Sequence, residues 1–207
     1  MIMNISTEQL SAQGYQPFAT LPHNDIATFI RPYMKKMNPY IINYHLSTFL
    51  PLVVWLGMIG FHWGRGTYNA ELLSFFYGFS IAFLLIPLHE LIHGLAYRLV
   101  GAKKVSYGAN LKKFIFYALA DKFVVSYKEF IIVALAPFLV VYLVNIILFL
   151  VLPTTGAYAC LGLTFVHSLL CGGDFGLLSF FHENKSKQLV TYDDVAKQAS
   201  YFYSLYL

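Results

Sequence analysis

The chain is short of charge. Only 12% of its 207 residues are Asp, Glu, Lys or Arg, about half the share usual in a soluble domain. Acidic residues number ten, so any that falls inside an apolar run stands out. The two cysteines, Cys160 and Cys171, both lie in apolar sequence, which excludes a disulfide framework. The N-terminal segment lacks the basic-then-apolar order of a cleaved signal peptide, so the apolar spans are expected to act as their own insertion signals. There is no internal repeat, low-complexity tract, phosphate-binding glycine loop or nucleophilic serine motif.

Apolar residues are abundant: 58% of the chain is hydrophobic and the mean hydropathy is +0.60. The size suits one compact domain. The expected fold is an all-α polytopic membrane protein with about four transmembrane helices. Four runs approach the ~20 residues that a bilayer core requires, at about 42–61, 72–100, 130–152 and 158–181. The first is weakened by His45 and Pro51, and the third is interrupted only by Pro137 and Asn145. The chain then divides into an N-terminal interfacial arm (1–41), a transmembrane core (42–181) and a cytoplasmic tail (182–207).

Lysines and arginines set the expected orientation. Arg31, Lys35 and Lys36 precede the first span, and Arg98, Lys103, Lys104, Lys112, Lys113, Lys122 and Lys128 separate the second from the third. Lys185, Lys187 and Lys197 follow the fourth, and the two opposite loops hold only Arg65. Both termini are therefore expected in the cytoplasm. The net charge of +4 is a topology signal, and no nucleic-acid partner is implied, because no basic stripe with exposed aromatics lies outside the apolar runs.

Inside the second span stands His89-Glu90-Leu91-Ile92-His93, an H-E-x-x-H pattern. On a helix the histidines at i and i+4 share a face and can reach one Zn²⁺ ion, with Glu90 beside them as general base. Three ionisable groups in one span are costly unless they have partners or a function. The bland alternative is a pair of hydrogen-bonded core histidines with Glu90 paired nearby. With the expected topology, His93 and His89 lie about 8 Å and about 14 Å from the level of Arg98. Asp174 in the fourth span lies about 12 Å from its inner end. It is the only acidic residue in a span besides Glu90 and follows Gly172-Gly173, two glycines that loosen the helix and admit a close approach. It is the candidate third metal ligand, with a buried aspartate paired to a lysine or a histidine as its other reading. His167 sits seven residues earlier on the same face but about 10 Å higher, in a supporting or alternative ligand position. Cys171 is a second alternative ligand, with simple packing between helices as its other reading.

His89 to Gly94 late in one span, with an aspartate in a later span, resembles the intramembrane zinc peptidases of the site-2 protease type. The arrangement is most similar to the family of small bacterial membrane proteins described as putative zincin peptidases. Ala136-Pro137 between the two motifs and Gly173-Asp174 carry the same resemblance, which covers about residues 86–181. It implies a zinc site of His89, His93 and Asp174. It also implies a bacterial plasma-membrane location, in which the lysine and arginine distribution puts the site toward the cytoplasmic side. The chain departs from site-2 proteases in having Cys171-Gly172-Gly173-Asp174-Phe175-Gly176 in place of their Asn-Pro followed by Leu-Asp-Gly. Asn145 is a candidate for the missing substrate-positioning asparagine; a hydrogen bond between helices is its other reading.

Between the second and third spans, Val105, Tyr107, Phe114, Phe116, Phe123 and Val125 recur with period two around turn-forming Gly108-Ala109-Asn110 and Ala120-Asp121-Lys122. Two or three short interfacial strands are expected, offering an edge to an unwound substrate or an anchor to lipid headgroups. In the tail, Asp193-Asp194 are expected to open a short helix, ahead of an interfacial cluster of Tyr201, Phe202, Tyr203 and Tyr206. The resulting expectation is metal-assisted hydrolysis of a membrane-associated peptide or protein substrate within or beside the bilayer. A non-catalytic zinc-binding scaffold and a metal or ion transporter are the alternatives.

Overall fold

The computed structural model describes residues 6–63, 69–110 and 115–205. Arg65, Lys112, Lys113, Phe114 and Tyr206 lie outside the described residues. Strand β1 (Tyr15–Pro22) and the short helix α1 (Ile26–Ile30) lead into α2 (Pro39–Trp63), α3 (Asn69–Leu84) and α4 (Ile86–Leu99). A hairpin of β2 (Ser106–Asn110) and β3 (Ile115–Leu119) follows, then β4 (Val125–Ser126) and the long helix α5 (Tyr127–Val151). Helices α6 (Thr154–Leu170) and α7 (Gly172–Glu183) precede β5 (Val190–Asp194) and β6 (Ala199–Leu205).

The fold is mostly helical. Helices α2 and α5, of 25 residues each, are long and apolar enough to cross a membrane. The runs expected as continuous second and fourth spans are instead bent pairs. Helices α3 and α4 meet at 46°, and α6 and α7 at 49°, and each pair passes the same length and hydropathy test when taken together. Pro87 in the first turn of α4 has no N–H to continue the helix before it. At the second break, Gly172 and Gly173 hold helical geometry weakly. Each break has a consequence for the site, because His89 and Asp174 both fall in the first turn or so after one.

Helix α2 exposes Leu46, Phe49, Leu50 and Val53, and α5 exposes Leu139, Leu143, Ile147 and Leu150. Apolar faces of this extent mark a membrane-associated protein. Against α6, helix α3 packs backbone to backbone: a Cβ at Gly78 would strike the carbonyl of Ala159, and one at Gly162 would strike that of Phe75.

Both long helices contain a buried proline, and each proline has the same effect. Pro51 leaves the carbonyl of Ser47, four residues earlier, without its helical donor, and Ser168 Oγ of α6 donates to it at 3.2 Å. The helix thus runs unbroken through the position that weakened the first span in the sequence. Pro137 does the same for the carbonyl of Val133 in α5.

The expected hairpin is present as antiparallel β2–β3, with Ser106 opposite Leu119 and Asn110 opposite Ile115. Around it the fold departs from the all-α expectation. A four-stranded sheet of order β1-β6-β5-β4 joins the two terminal segments, with Tyr15 opposite Leu205 and Pro22 opposite Ala199. Asp193 and Asp194 end β5 and do not open a helix. Asp194 Oδ1 accepts the Lys197 N–H at 3.0 Å, and Gln198 takes a left-handed φ of 51°, so the aspartate closes a tight turn. Phe202 of β6 then stacks on Phe29 of α1 at 5.6 Å and meets Phe180 of α7 edge-on at 4.8 Å. These contacts seat the sheet against the helix that carries Asp174. Ser126 caps α5 through a reciprocal pair with Glu129, the Ser126 N–H donating to Glu129 Oε2 at 2.8 Å, a capping box.

Candidate metal centre

Three side chains from two broken helices converge. His89 Nε2 lies 3.0 Å from His93 Nε2. Asp174 Oδ2 lies 3.4 Å from His89 Nε2, and its Oδ1 lies 3.3 Å from His93 Nε2. The histidines are buried and Asp174 nearly so. Two ligands held ~2.0–2.1 Å from one ion in tetrahedral geometry are themselves about 3.3 Å apart. The donor spacing therefore suits a small divalent cation, and two imidazoles with one carboxylate are borderline-soft ligands of the type zinc takes.

The far nitrogens of both rings are occupied, which fixes how the near ones point. His93 Nδ1 donates to the Val133 carbonyl at 2.9 Å, the group that Pro137 leaves free. In the neutral ring that a metal ligand requires, Nε2 of His93 would be the free nitrogen, and it is the one turned toward Asp174. His89 Nδ1 lies 3.3 Å from His167 Nε2, and Cys171 Sγ lies 3.9 Å from His167 Nδ1. His167 thus stands behind His89, with Cys171 behind it in turn. His89, His167 and Cys171 form a second group whose donor atoms lie within 4.8 Å of one another.

Glu90, half-buried, lines the cavity that opens on the triad, and its carboxylate faces the backbone amide of Ala118 on β3. Asn145 is elsewhere: its amide donates to the Cys160 carbonyl at 2.8 Å and to Thr164, tying α5 to α6.

The cavity, about 180 Å³, extends from the triad to the terminal sheet, where Tyr97, Asp193, Ser200 and His23 line it. The sequence reading missed these four. Tyr97 was detectable, since it follows His93 by four residues on the same helical face. His23, Asp193 and Ser200 arrive through pairing of the chain ends and carry no local signal. Tyr192, also in this wall, stays a neutral phenol, because burial and its hydrogen bond with Tyr203 push its pKa up.

Fold and site together define a membrane-associated helical protein with His, Asp and Cys side chains clustered so that they can coordinate a metal ion. Residues 82–188 match the family described as Putative zincin peptidase, and the chain belongs to that family. No curated protein and no solved structure matches it.

Proposed function

We propose that the protein is a zinc-dependent peptidase acting on membrane-embedded or membrane-adjacent substrates. The observation that carries the reading is the 3.0–3.4 Å spacing of His89, His93 and Asp174, with Glu90 in the same cavity. His89, His93 and Asp174 would hold Zn²⁺, leaving one side of the site open to the cavity. Zinc, when bound, acidifies water and polarises a scissile carbonyl. Glu90 takes the proton of the attacking water and returns it to the leaving amine. Val133 and His167 hold the two imidazoles in the orientation in which both Nε2 atoms would face the ion.

In this reading α2, the bent pair α3–α4, α5 and the bent pair α6–α7 are four spans, with both termini and the site toward the cytoplasm. The distribution of lysine and arginine supports that orientation. A helical substrate must unwind before its carbonyls can be attacked. Among the described residues β3 is paired in its sheet only with β2, and Phe116, Ala118 and Leu119 line the cavity, which suits capture of an extended chain as an added strand.

Metal content tests the reading. Wild type and Glu90→Gln are expected to retain one zinc per chain, Asp174→Ala to lose it, and Glu90→Gln to abolish cleavage. Folded wild-type protein that takes up no zinc when resupplied overturns the proposal. The second donor group, His89 with His167 and Cys171, favours a metal-transfer protein as the second reading. Zinc passed to an acceptor at the same rate by wild type and Glu90→Gln, with no peptide cleavage by either, would turn the choice toward it.

A further inference from the structure

The cavity on the triad is closed at its far end by Tyr97 of α4 together with segments outside the region that matches the family. Asp193 of β5 accepts a hydrogen bond from Ser200 Oγ at 2.6 Å and another from the Tyr97 hydroxyl. Two neutral donors fix its carboxylate and supply no countercharge. His23 Nε2 is 3.8 Å from Asp193 Oδ1, beyond hydrogen-bond reach, and is buried without a hydrogen-bond partner. His23 Nε2 therefore faces the same space as the Asp193 carboxylate with its hydrogen-bonding capacity unused. Among the described residues no lysine or arginine lines the cavity, whose carboxylates are Glu90, Asp174 and Asp193. Asp193 thus has no lysine or arginine beside it in the cavity, and the nearest group there able to carry a positive charge is His23, 3.8 Å away.

We propose that this end of the cavity selects a lysine or arginine side chain of the substrate, held by Asp193 with His23 as its neighbour. The proposal rests on the peptidase reading and narrows its substrate class. A buried carboxylate that already has neutral donors gains most from a cation that brings both charge and N–H groups. Tyr97 lies one helical turn, about 6 Å, beyond His93, and an extended chain advances ~3.3 Å per residue. The basic residue therefore falls within about three residues of the bond that is cut. Segments that leave a membrane on its cytoplasmic side are rich in lysine and arginine, so the class is a span cleaved close to its basic flank.

Peptide hydroxamates test this without a known substrate, since the hydroxamate takes the metal and the peptide runs into the cavity. Zinc-loaded full-length protein in detergent is titrated with acetohydroxamate and with hydroxamates of equal length in which one of the three nearest residues is Lys, Met or Glu. The Lys probe should bind at least about tenfold more tightly than Met, with Glu weakest. Asp193→Asn should erase that preference and leave acetohydroxamate affinity unchanged, while Asp193→Glu keeps it. Equal binding of Lys and Met by wild type, or a Lys preference that survives Asp193→Asn, overturns the proposal alone. Failure of acetohydroxamate to bind the zinc-loaded wild type overturns the peptidase reading and this proposal with it. The wild-type probe series decides the question even where a variant does not fold.

Discussion

His93 is held by a carbonyl that a proline set free: its Nδ1 donates to Val133 O at 2.9 Å, and Pro137, four residues along α5, has no N–H to compete for that oxygen. An irregularity in one helix thereby orients a candidate ligand on another. The Ala136-Pro137 pair, noticed in the sequence only as part of a resemblance, has a physical role that concerns the backbone and not the ring.

Pro137→Ala separates site from stability. The alanine restores an N–H that competes with His93 for Val133 O, and removes a residue that costs a helix interior about 3 kcal/mol. Thermal stability in detergent should hold or rise. Zinc affinity, read by competition with a chelator, should fall about tenfold or more, as for other outer-shell partners. Unchanged zinc affinity would show that His93 does not depend on the freed carbonyl.

The face shared by His89 and His93 was legible because an i, i+4 spacing is local. Asp174 was legible as their partner because it is the one carboxylate besides Glu90 in the four apolar runs. The break at Pro87 was not, and the one at Gly172-Gly173 was legible only as a loosened helix. Hydropathy averaged over a span barely registers Pro87 or Gly172-Gly173, yet these bend the two helices and deliver His89 and Asp174 to one point. The terminal sheet was invisible for a different reason. Tyr15–Pro22 pairs with a segment more than 170 residues away, and strand formation depends on that partner far more than on intrinsic preference. Asp193 and Asp194 accordingly looked like a helix start, although Val190–Asp194 is buried almost throughout and Ala199–Leu205 largely alternates, as paired strands do.

The line from His89 through His167 to Cys171 makes a prediction that distinguishes the two donor groups. If the metal sits with His93 and Asp174, His167 serves only to accept the His89 Nδ1–H. His167→Ala should then weaken zinc binding about 10- to 100-fold, and His167→Gln, whose carbonyl oxygen can accept, should recover most of it. Cys171→Ser should stay within about threefold of wild type. A Cys171→Ser loss as large as that of His167→Ala would place the ion in the other group.

Helices α3 and α6 meet through Gly78 and Gly162, whose neighbours are backbone atoms that cannot turn aside as a side chain would. Gly162→Val should overpack this contact and cost about 1–3 kcal/mol or more, seen as a lower midpoint of thermal unfolding in detergent. Gly57→Val, where nothing lies within 4 Å of an added Cβ, is the control and should shift the midpoint little. Equal effects at the two positions would mean that the loss comes from helix propensity and not from the α3–α6 contact.

Phe202 ties the terminal sheet to α7, only 2% exposed and packed on Phe29, Phe180 and Phe181. Phe202→Ala removes a buried aromatic, a change that costs about 3–5 kcal/mol in a core. Its effect should reach past stability, since Phe202 also lines the cavity next to Asp193 and Ser200. With the sheet loosened, protease digestion under native conditions should cut near residues 195–198 before the helical region. Zinc affinity should fall by much less than in Asp174→Ala, because the triad belongs to α4 and α7 and not to the sheet. A Phe202→Ala protein that loses zinc as completely as Asp174→Ala would mean that the sheet holds α7 in place. The terminal segments would then be part of what assembles the metal site, and not only the wall of its cavity.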